Sequence, residues 1–62
     1  MTVTISEGIN NSHVRIHSKD ARFKKEWGEE IMCNANGMYK NLAMISTWVN
    51  NNYREECLFE VD

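Results

Sequence analysis

The sequence predicts an α+β fold in the order β-β-α-α-β, with two helices packed on one face of a three-stranded antiparallel sheet. Three observations support this: two short alternating stretches near the start, two stretches of helical spacing in the middle, and one alternating stretch near the end. The chain has 62 residues and a hydrophobic fraction of 42%, so we expect one folded domain, residues 1–62. A chain of this length buries only about 60% of its unfolded surface, so its stability is small.

The first two strands are predicted at residues 2–6 and 13–17, where polar and apolar residues alternate. The positions expected to face the core are Val3, Ile5, Val14 and Ile16. Turn-forming Gly, Asn and Ser residues dominate positions 8–12. The two strands are therefore predicted to form a β-hairpin.

The first helix is predicted to begin near residue 21, after Ser18 or Asp20, because either short side chain can accept hydrogen bonds from exposed first-turn N–H groups. Apolar residues with the spacing of one helical face follow: Phe23, Trp27 and Ile31. The Asn and Gly residues at positions 34–37 predict the end of this helix. Gly28 would either weaken it by about 1 kcal/mol relative to Ala or allow a close backbone approach.

The second helix is predicted after residue 37, from another apolar stripe with helical spacing: Met38, Leu42, Ile45 and Val49. We expect the three asparagines at positions 50–52 to end it, because Asn side chains compete with the helical hydrogen bonds. The last strand is predicted at residues 57–61, most simply beside the first strand. Cys57, Phe59 and Val61 would lie on one face of this strand.

A basic stretch at residues 13–25 contrasts with an otherwise acidic sequence. The formal net charge is −2 at pH 7, but residues 13–25 carry a local charge of +4 and residues 26–62 a local charge of −5. The basic side chains are Arg15, Lys19, Arg22, Lys24 and Lys25. Such a division of charge favours a surface that faces a partner. The acidic remainder fits either an ordinary solvated surface or an imitation of nucleic-acid phosphates.

The sequence predicts no metal site, no cofactor and no catalytic residue. His13 and His17 have the spacing of zinc ligands on a helix, but on a strand they would lie about 13 Å apart. Cys33 and Cys57 lie on different predicted elements, and the acidic neighbours of Cys57 disfavour a thiolate. The chain has no glycine-rich phosphate loop and little volume for a substrate pocket, so we do not expect an enzyme.

The sequence has more Met, Tyr and Trp residues than three strands and two helices can bury on one side. Such side chains are common at adaptable interfaces. Leu58 is the clearest candidate, because its neighbours along the strand face the other way. The predicted partner-binding surface combines the basic stretch with two apolar residues: Arg15, Lys19, Arg22, Lys24, Lys25, Tyr53 and Leu58.

These observations favour a small non-enzymatic protein that binds a larger protein or protein complex and modulates or inhibits it. Phages and mobile elements encode accessory proteins of this kind, including antagonists of host defence or of nucleic-acid-handling complexes. A nucleic-acid-binding regulator that uses residues 13–25 is the second hypothesis, and a homodimeric structural protein is the third.

The expected location is the cytoplasm. The chain has no secretory signal, no apolar run long enough to cross a membrane and only two cysteines. Because the chain begins with Met1, we also expect a complete small gene product.

Overall fold

The computed structural model describes all 62 residues, which form one sheet, two α-helices and one 3₁₀ turn. In chain order the elements are β1 (Thr2–Glu7), β2 (His13–His17), α1 (Ala21–Trp27), β3 (Ile31–Asn34), the 3₁₀ turn (Ala35–Gly37), α2 (Met38–Tyr53) and β4 (Leu58–Val61). The α+β class is confirmed, but the predicted three-stranded antiparallel sheet is wrong in detail, because the sheet is mixed and has four strands. Neither helix has the length and apolar character needed to cross a membrane.

The strands lie in the order β3-β2-β1-β4. β1 and β2 form the predicted antiparallel hairpin, in which Ile5 lies opposite Ile16. The Gly8 N–H donates to the His13 carbonyl oxygen at 3.1 Å at the start of the turn. A Cβ atom at Gly8 would lie 2.7 Å from the carbonyl carbon of His13, so this turn requires glycine for space.

The first helix is shorter than predicted, because residues 31–34 form β3. α1 ends at Trp27, and Gly28 takes φ 85° and ψ −162°, a conformation that is nearly restricted to glycine. The Gly28 N–H donates to the Lys24 carbonyl oxygen at 2.9 Å. No atom lies within 4 Å of a Cβ placed at Gly28, so the close backbone approach considered for this residue is absent. β3 pairs antiparallel with β2.

α2 continues through the asparagines at positions 50–52, so the prediction that they end the helix is wrong. Their side chains are exposed, and the Asn52 side-chain amide donates to the Trp48 carbonyl oxygen at 2.8 Å within the helix. Val49 holds this part of α2 against the core. The helix ends at Tyr53, and Arg54, which follows it, caps it in the left-handed conformation with a φ of 53°.

β4 lies beside β1, as predicted, but the two strands are parallel. β1 and β3 both run antiparallel to β2, and α2 carries the chain from the end of β3 back to the starting end of the sheet. β4 therefore runs in the same direction as β1. The N–H groups of Leu58 and Asp62 donate to the carbonyl oxygens of Met1 and Ile5, each at 2.8 Å.

The core lies between the sheet and the two helices, which pack on the same face as predicted. Five side chains are fully buried in one cluster: Val3, Ile16, Phe23, Ile45 and Val49. Cys57 and Phe59 pack against this cluster. Val61 lies opposite Ile5 on the same face of the sheet as Phe59, as predicted, but it is 83% exposed. Neither helix covers the opposite face of the sheet.

Candidate partner-binding surface

The structure divides the basic stretch between the sheet and the first helix. Arg15 lies in β2, opposite Met32 of β3, on the face that the helices leave open. The Arg15 Nε atom lies 3.1 Å from Glu30 Oε1, so the two side chains form an ion pair. The Arg15 Nε–H group does not have a hydrogen-bond partner. Both side chains are about 40% exposed, so solvent screens this ion pair and it contributes at most about 1 kcal/mol. Arg15 is thus partly neutralised within the chain.

Arg22 joins the start of α1 to the chain that follows α2. Its Nε and Nη2 atoms donate to Asp20 Oδ1 and Oδ2 at 3.0 and 2.7 Å. The same Nη2 lies 2.7 Å from Glu55 Oε1, and the guanidinium carbon lies 4.4 Å from the centroid of the Tyr53 ring. Two of the predicted partner-binding residues, Arg22 and Tyr53, therefore contact each other within the chain.

Asp20 is confirmed as the residue that caps α1. Its Oδ1 accepts from the Arg22 backbone N–H at 2.8 Å. The side-chain hydrogen bonds from Arg22, helped by this backbone bond, lower the pKa of Asp20 from 3.8 to about 2. The same contact with Asp20 raises the pKa of the Arg22 guanidinium. Both charges are therefore fixed at neutral pH in a structural role.

Lys19, Lys24 and Lys25 are the cations of the basic stretch that remain exposed without a carboxylate within 4 Å. Lys24 and Lys25 lie in the last turn of α1, where positive charge is favourable beside the carbonyl end of the helix. Lys19 borders a shallow polar cleft on the open sheet face, together with His17 and Glu60. The structure thus leaves three of the five cations available to a partner.

An aromatic cluster closes the side of the core next to Arg22. Trp27 of α1 and Trp48 of α2 pack edge to face with ring centroids 5.6 Å apart. Trp48 and Tyr53 pack in the same way at 5.5 Å. Tyr53 remains 37% exposed, so one side of its ring stabilises the helix pair and the rest faces solvent.

The two histidines make separate polar contacts on the sheet. Ser6 Oγ lies 3.1 Å from His17 Nε2, and the other ring nitrogen of His17 has no hydrogen-bond partner. His13 Nδ1 lies 2.8 Å from the side-chain oxygen of Asn10 in the turn. No group of three or more His, Cys, Asp or Glu side chains lies close enough together to hold a metal ion. These contacts connect β1 to β2 and order the turn.

The two cysteines are free thiols that are partly buried. Cys33 lies in β3 and Cys57 immediately precedes β4, and both pack against the core. Burial raises the pKa of both thiols, which keeps them protonated at neutral pH. Their surroundings are those of small core side chains.

An open apolar cleft of about 570 Å³ lies at the end of the sheet where β1 and β4 finish, and no pattern in the sequence predicted it. Ile5, Val14 and Met38 are among its apolar lining residues. Ile9 in the hairpin turn and Val61 in β4 also line it, and they are 73% and 83% exposed. Apolar side chains this exposed, next to a depression, are typical of a binding surface.

The hairpin turn holds one side of this cleft in place. Asn10 accepts from the Ser12 N–H at 2.9 Å and from the Ser12 hydroxyl at 2.7 Å, which fixes the loop that carries Ile9. Ile9 is also the one apolar residue among the turn formers at positions 8–12. This was the signal in the sequence that could have located the cleft.

β4 forms one edge of the sheet, so one side of its backbone has no neighbouring strand. Leu58 and Asp62 direct their N–H groups toward β1, and the direction of backbone groups alternates along a strand. The N–H and C=O groups of Phe59 and Val61 therefore point away from the sheet. Leu58, a predicted partner-binding residue, lies on the open face of this strand and is 54% exposed.

Comparison with protein-family models, with curated proteins and with solved structures gave no match to this chain.

Proposed function

We propose that this protein is a non-enzymatic, cytoplasmic binding protein that attaches to a larger protein and modulates or blocks it by covering part of its surface. The exposed apolar side chains of Ile9 and Val61 at the cleft carry this proposal. Val61 belongs to the edge strand β4, and Ile9 lines the same cleft, so apolar contact and backbone hydrogen bonding are available at this end of the sheet.

Nucleic-acid binding through residues 13–25 is less favoured by the geometry. Arg15 and Arg22 pair with carboxylates of the chain. Of the remaining lysines, Lys24 and Lys25 lie in the last turn of α1, and Lys19 precedes this helix. Each paired cation would have to give up its carboxylate before it could neutralise a phosphate. The apolar cleft also has no role in phosphate binding.

The test is affinity purification of the tagged chain from a lysate of the source organism, with and without nuclease, followed by mass spectrometry. The protein identified is then purified and its affinity for the chain is measured by calorimetry. We expect a stoichiometric protein partner that remains after nuclease treatment. Loss of all co-purifying material after nuclease treatment would contradict this function and favour the hypothesis that residues 13–25 bind nucleic acid.

Variants of exposed apolar residues locate the binding surface. We expect Ile9→Asp and Val61→Asp each to weaken the purified complex by about tenfold or more, because each places a charge in the apolar cleft. Met44→Asp is the matched control, since Met44 is 43% exposed on α2 but lines neither the cleft nor β4. Circular dichroism establishes that each variant is folded. Equal losses in all three variants would contradict this location.

A further inference from the structure

We propose that the free edge of β4 binds an extended, basic segment of the partner protein, which adds to the sheet as a fifth strand. This inference rests on the proposed function and specifies the surface and the chemistry of the partner. Three features carry it: an unpaired backbone edge, carboxylates along that edge without cationic partners, and the apolar cleft at its end.

Only a segment in extended conformation can form regular backbone hydrogen bonds with the free edge of β4. Leu58 and Asp62 use their N–H groups on β1, which leaves the N–H and C=O groups of Phe59 and Val61 for another strand. The free N–H and C=O groups of Phe59 and Val61 have the spacing that pairing with another strand requires, and no strand of this chain lies beside them. A segment that pairs with them gains main-chain hydrogen bonds whatever its sequence.

The charges around this edge favour a basic segment. Glu56, Glu60 and Asp62 lie in or next to β4, and none has a Lys or Arg within 4 Å. Glu7 and Asp62 line the cleft, which contains no Lys or Arg. Lysine or arginine side chains on the added strand would meet these carboxylates directly.

The same charges oppose a second copy of this chain at the edge. Two β4 strands side by side would bring Glu60 and the neighbouring acids of one copy against those of the other. Like charges opposite one another across two strands are destabilising. The occupant that the edge favours is therefore a different chain with the opposite charge.

The alternation of side chains along β4 specifies which positions of the added partner strand should be apolar and which should be basic. Phe59 and Val61 face the helix side, where Val61 borders the apolar cleft. Leu58 and Glu60 face the open side of the sheet. An added strand with apolar residues toward the cleft and Lys or Arg toward Glu60 would match both sides.

The test is a titration of the isotope-labelled protein with a synthetic peptide of alternating valine and lysine, about eight residues long, followed by NMR. We expect chemical-shift changes at residues 57–62 and around the cleft. A valine–glutamate peptide of the same length is the control for charge, and we expect it to bind at least about tenfold more weakly. Equal binding of the two peptides, or no shift changes at millimolar peptide, overturns the proposal.

Val61→Pro tests strand addition directly, because it removes an N–H group from the free edge and leaves the hydrogen bonds to β1 in place. We expect about a tenfold or greater loss of peptide affinity. Val61→Ala is the matched control, since it shortens the side chain and keeps the N–H, and it should bind within about threefold of the wild type. If Val61→Pro binds as well as Val61→Ala, the segment does not pair with this edge.

Charge reversal gives an independent test should Val61→Pro fail to fold. Glu60→Lys combined with Asp62→Lys is expected to make the protein prefer the valine–glutamate peptide. An unchanged preference would overturn the charge argument. Light scattering is the test for a second copy: a mass near twice 7.3 kDa that Val61→Pro returns to a monomer would assign the edge to self-association and overturn the proposal.

The two proposals fail in different ways. If the purified partner binds the wild type and Val61→Pro equally, the proposed function stands and strand addition at β4 is wrong. If no protein partner is recovered but the valine–lysine peptide binds at β4, the edge has the inferred chemistry and the proposed function is wrong.

Discussion

Asp20 has two structural roles at the start of α1. It caps the helix through the Arg22 N–H and holds the Arg22 side chain, which in turn reaches Glu55 beyond α2. Arg22 also covers the Tyr53 ring at 4.4 Å. One short acidic side chain thus sets the position of a cation that connects the two helices. Arg22 was predicted to bind a partner, but these contacts give it a structural role within the chain.

The Asp20–Arg22 pair makes the free energy of unfolding depend on pH in the acidic range. The pKa of Asp20 is about 2 in the folded protein and 3.8 ordinarily, so the pair adds stability above about pH 4, and this is lost as the pH falls toward 2. Asp20→Asn keeps a capping acceptor and removes the charge. We expect it to lower the free energy of unfolding by about 1 kcal/mol near pH 7 and by almost nothing near pH 2, measured in urea.

Two further variants separate the cap from the ion pair. Asp20→Ala removes both, and we expect an additional loss of about 1 kcal/mol that persists at low pH. Glu26→Gln is the control, because Glu26 is exposed on α1 and has no ion pair. If Asp20→Asn destabilised the protein equally at both pH values, the ion pair would not be the source of the effect.

At the scale of elements, Gly28 decides where the first helix ends and the third strand begins. Its φ of 85° and ψ of −162° turn the chain out of α1 after seven residues. Phe23, Trp27 and Ile31 are four residues apart, which places them on one face of a continuous helix, and this is why the sequence pattern favoured one. Over a four-residue segment such as residues 31–34, helical and strand periodicities are hardly distinguishable.

Substitution of Gly28 tests this role. Gly28→Ala should lower the free energy of unfolding by about 1–3 kcal/mol, although no atom lies within 4 Å of the new Cβ, because a Cβ atom strains this backbone conformation. Gly37→Ala is the matched control: Gly37 has φ −96° and ψ 1°, which other residues adopt, and its Cβ would lie 4.0 Å from Asn41. Urea unfolding measures both. Equal effects would show that conformational strain at Gly28 is not decisive.

The elements that could be predicted are those with a long or repeated pattern. The β1–β2 hairpin and most of α2 follow from alternation and from the stripe that includes Ile45 and Val49. The direction of β4 could not be predicted, because it depends on β3, which the helical spacing concealed. The asparagines at positions 50–52 stayed helical because Val49 is held in the core, so packing outweighed their local preference.

The candidate site was predictable only in part. The exposure of Leu58 followed from strand alternation, which needs no tertiary contact. The pairing of Arg22 with Glu55 joins residues far apart in sequence, and such a contact depends on the packing of α1 against the end of α2. The cleft is likewise formed by the hairpin turn, the start of α2 and the end of β4. Spacing within one element cannot reveal it.

At the scale of the whole molecule, the protein has two layers, with helices on one face of the sheet and none on the other. Its fully buried cluster contains five side chains, and Phe23 is the largest of them. A core this small supplies about 3–5 kcal/mol of net stability at most. The fold therefore has little margin for the loss of any central side chain.

Phe23→Ala tests how far the molecule depends on this cluster. Removing a buried Phe side chain costs about 3–5 kcal/mol, which equals the stability available, so we expect the variant to lack a cooperative unfolding transition. Tyr39→Ala is the matched control, since Tyr39 is 76% exposed, and it should change the free energy of unfolding by less than about 0.5 kcal/mol. Urea titration followed by fluorescence of Trp27 and Trp48 measures both, because the two indoles pack across the helix pair. A cooperative transition of Phe23→Ala at the wild-type midpoint would contradict this account, and it would mean that the remaining four side chains and their neighbours suffice to hold the two layers together.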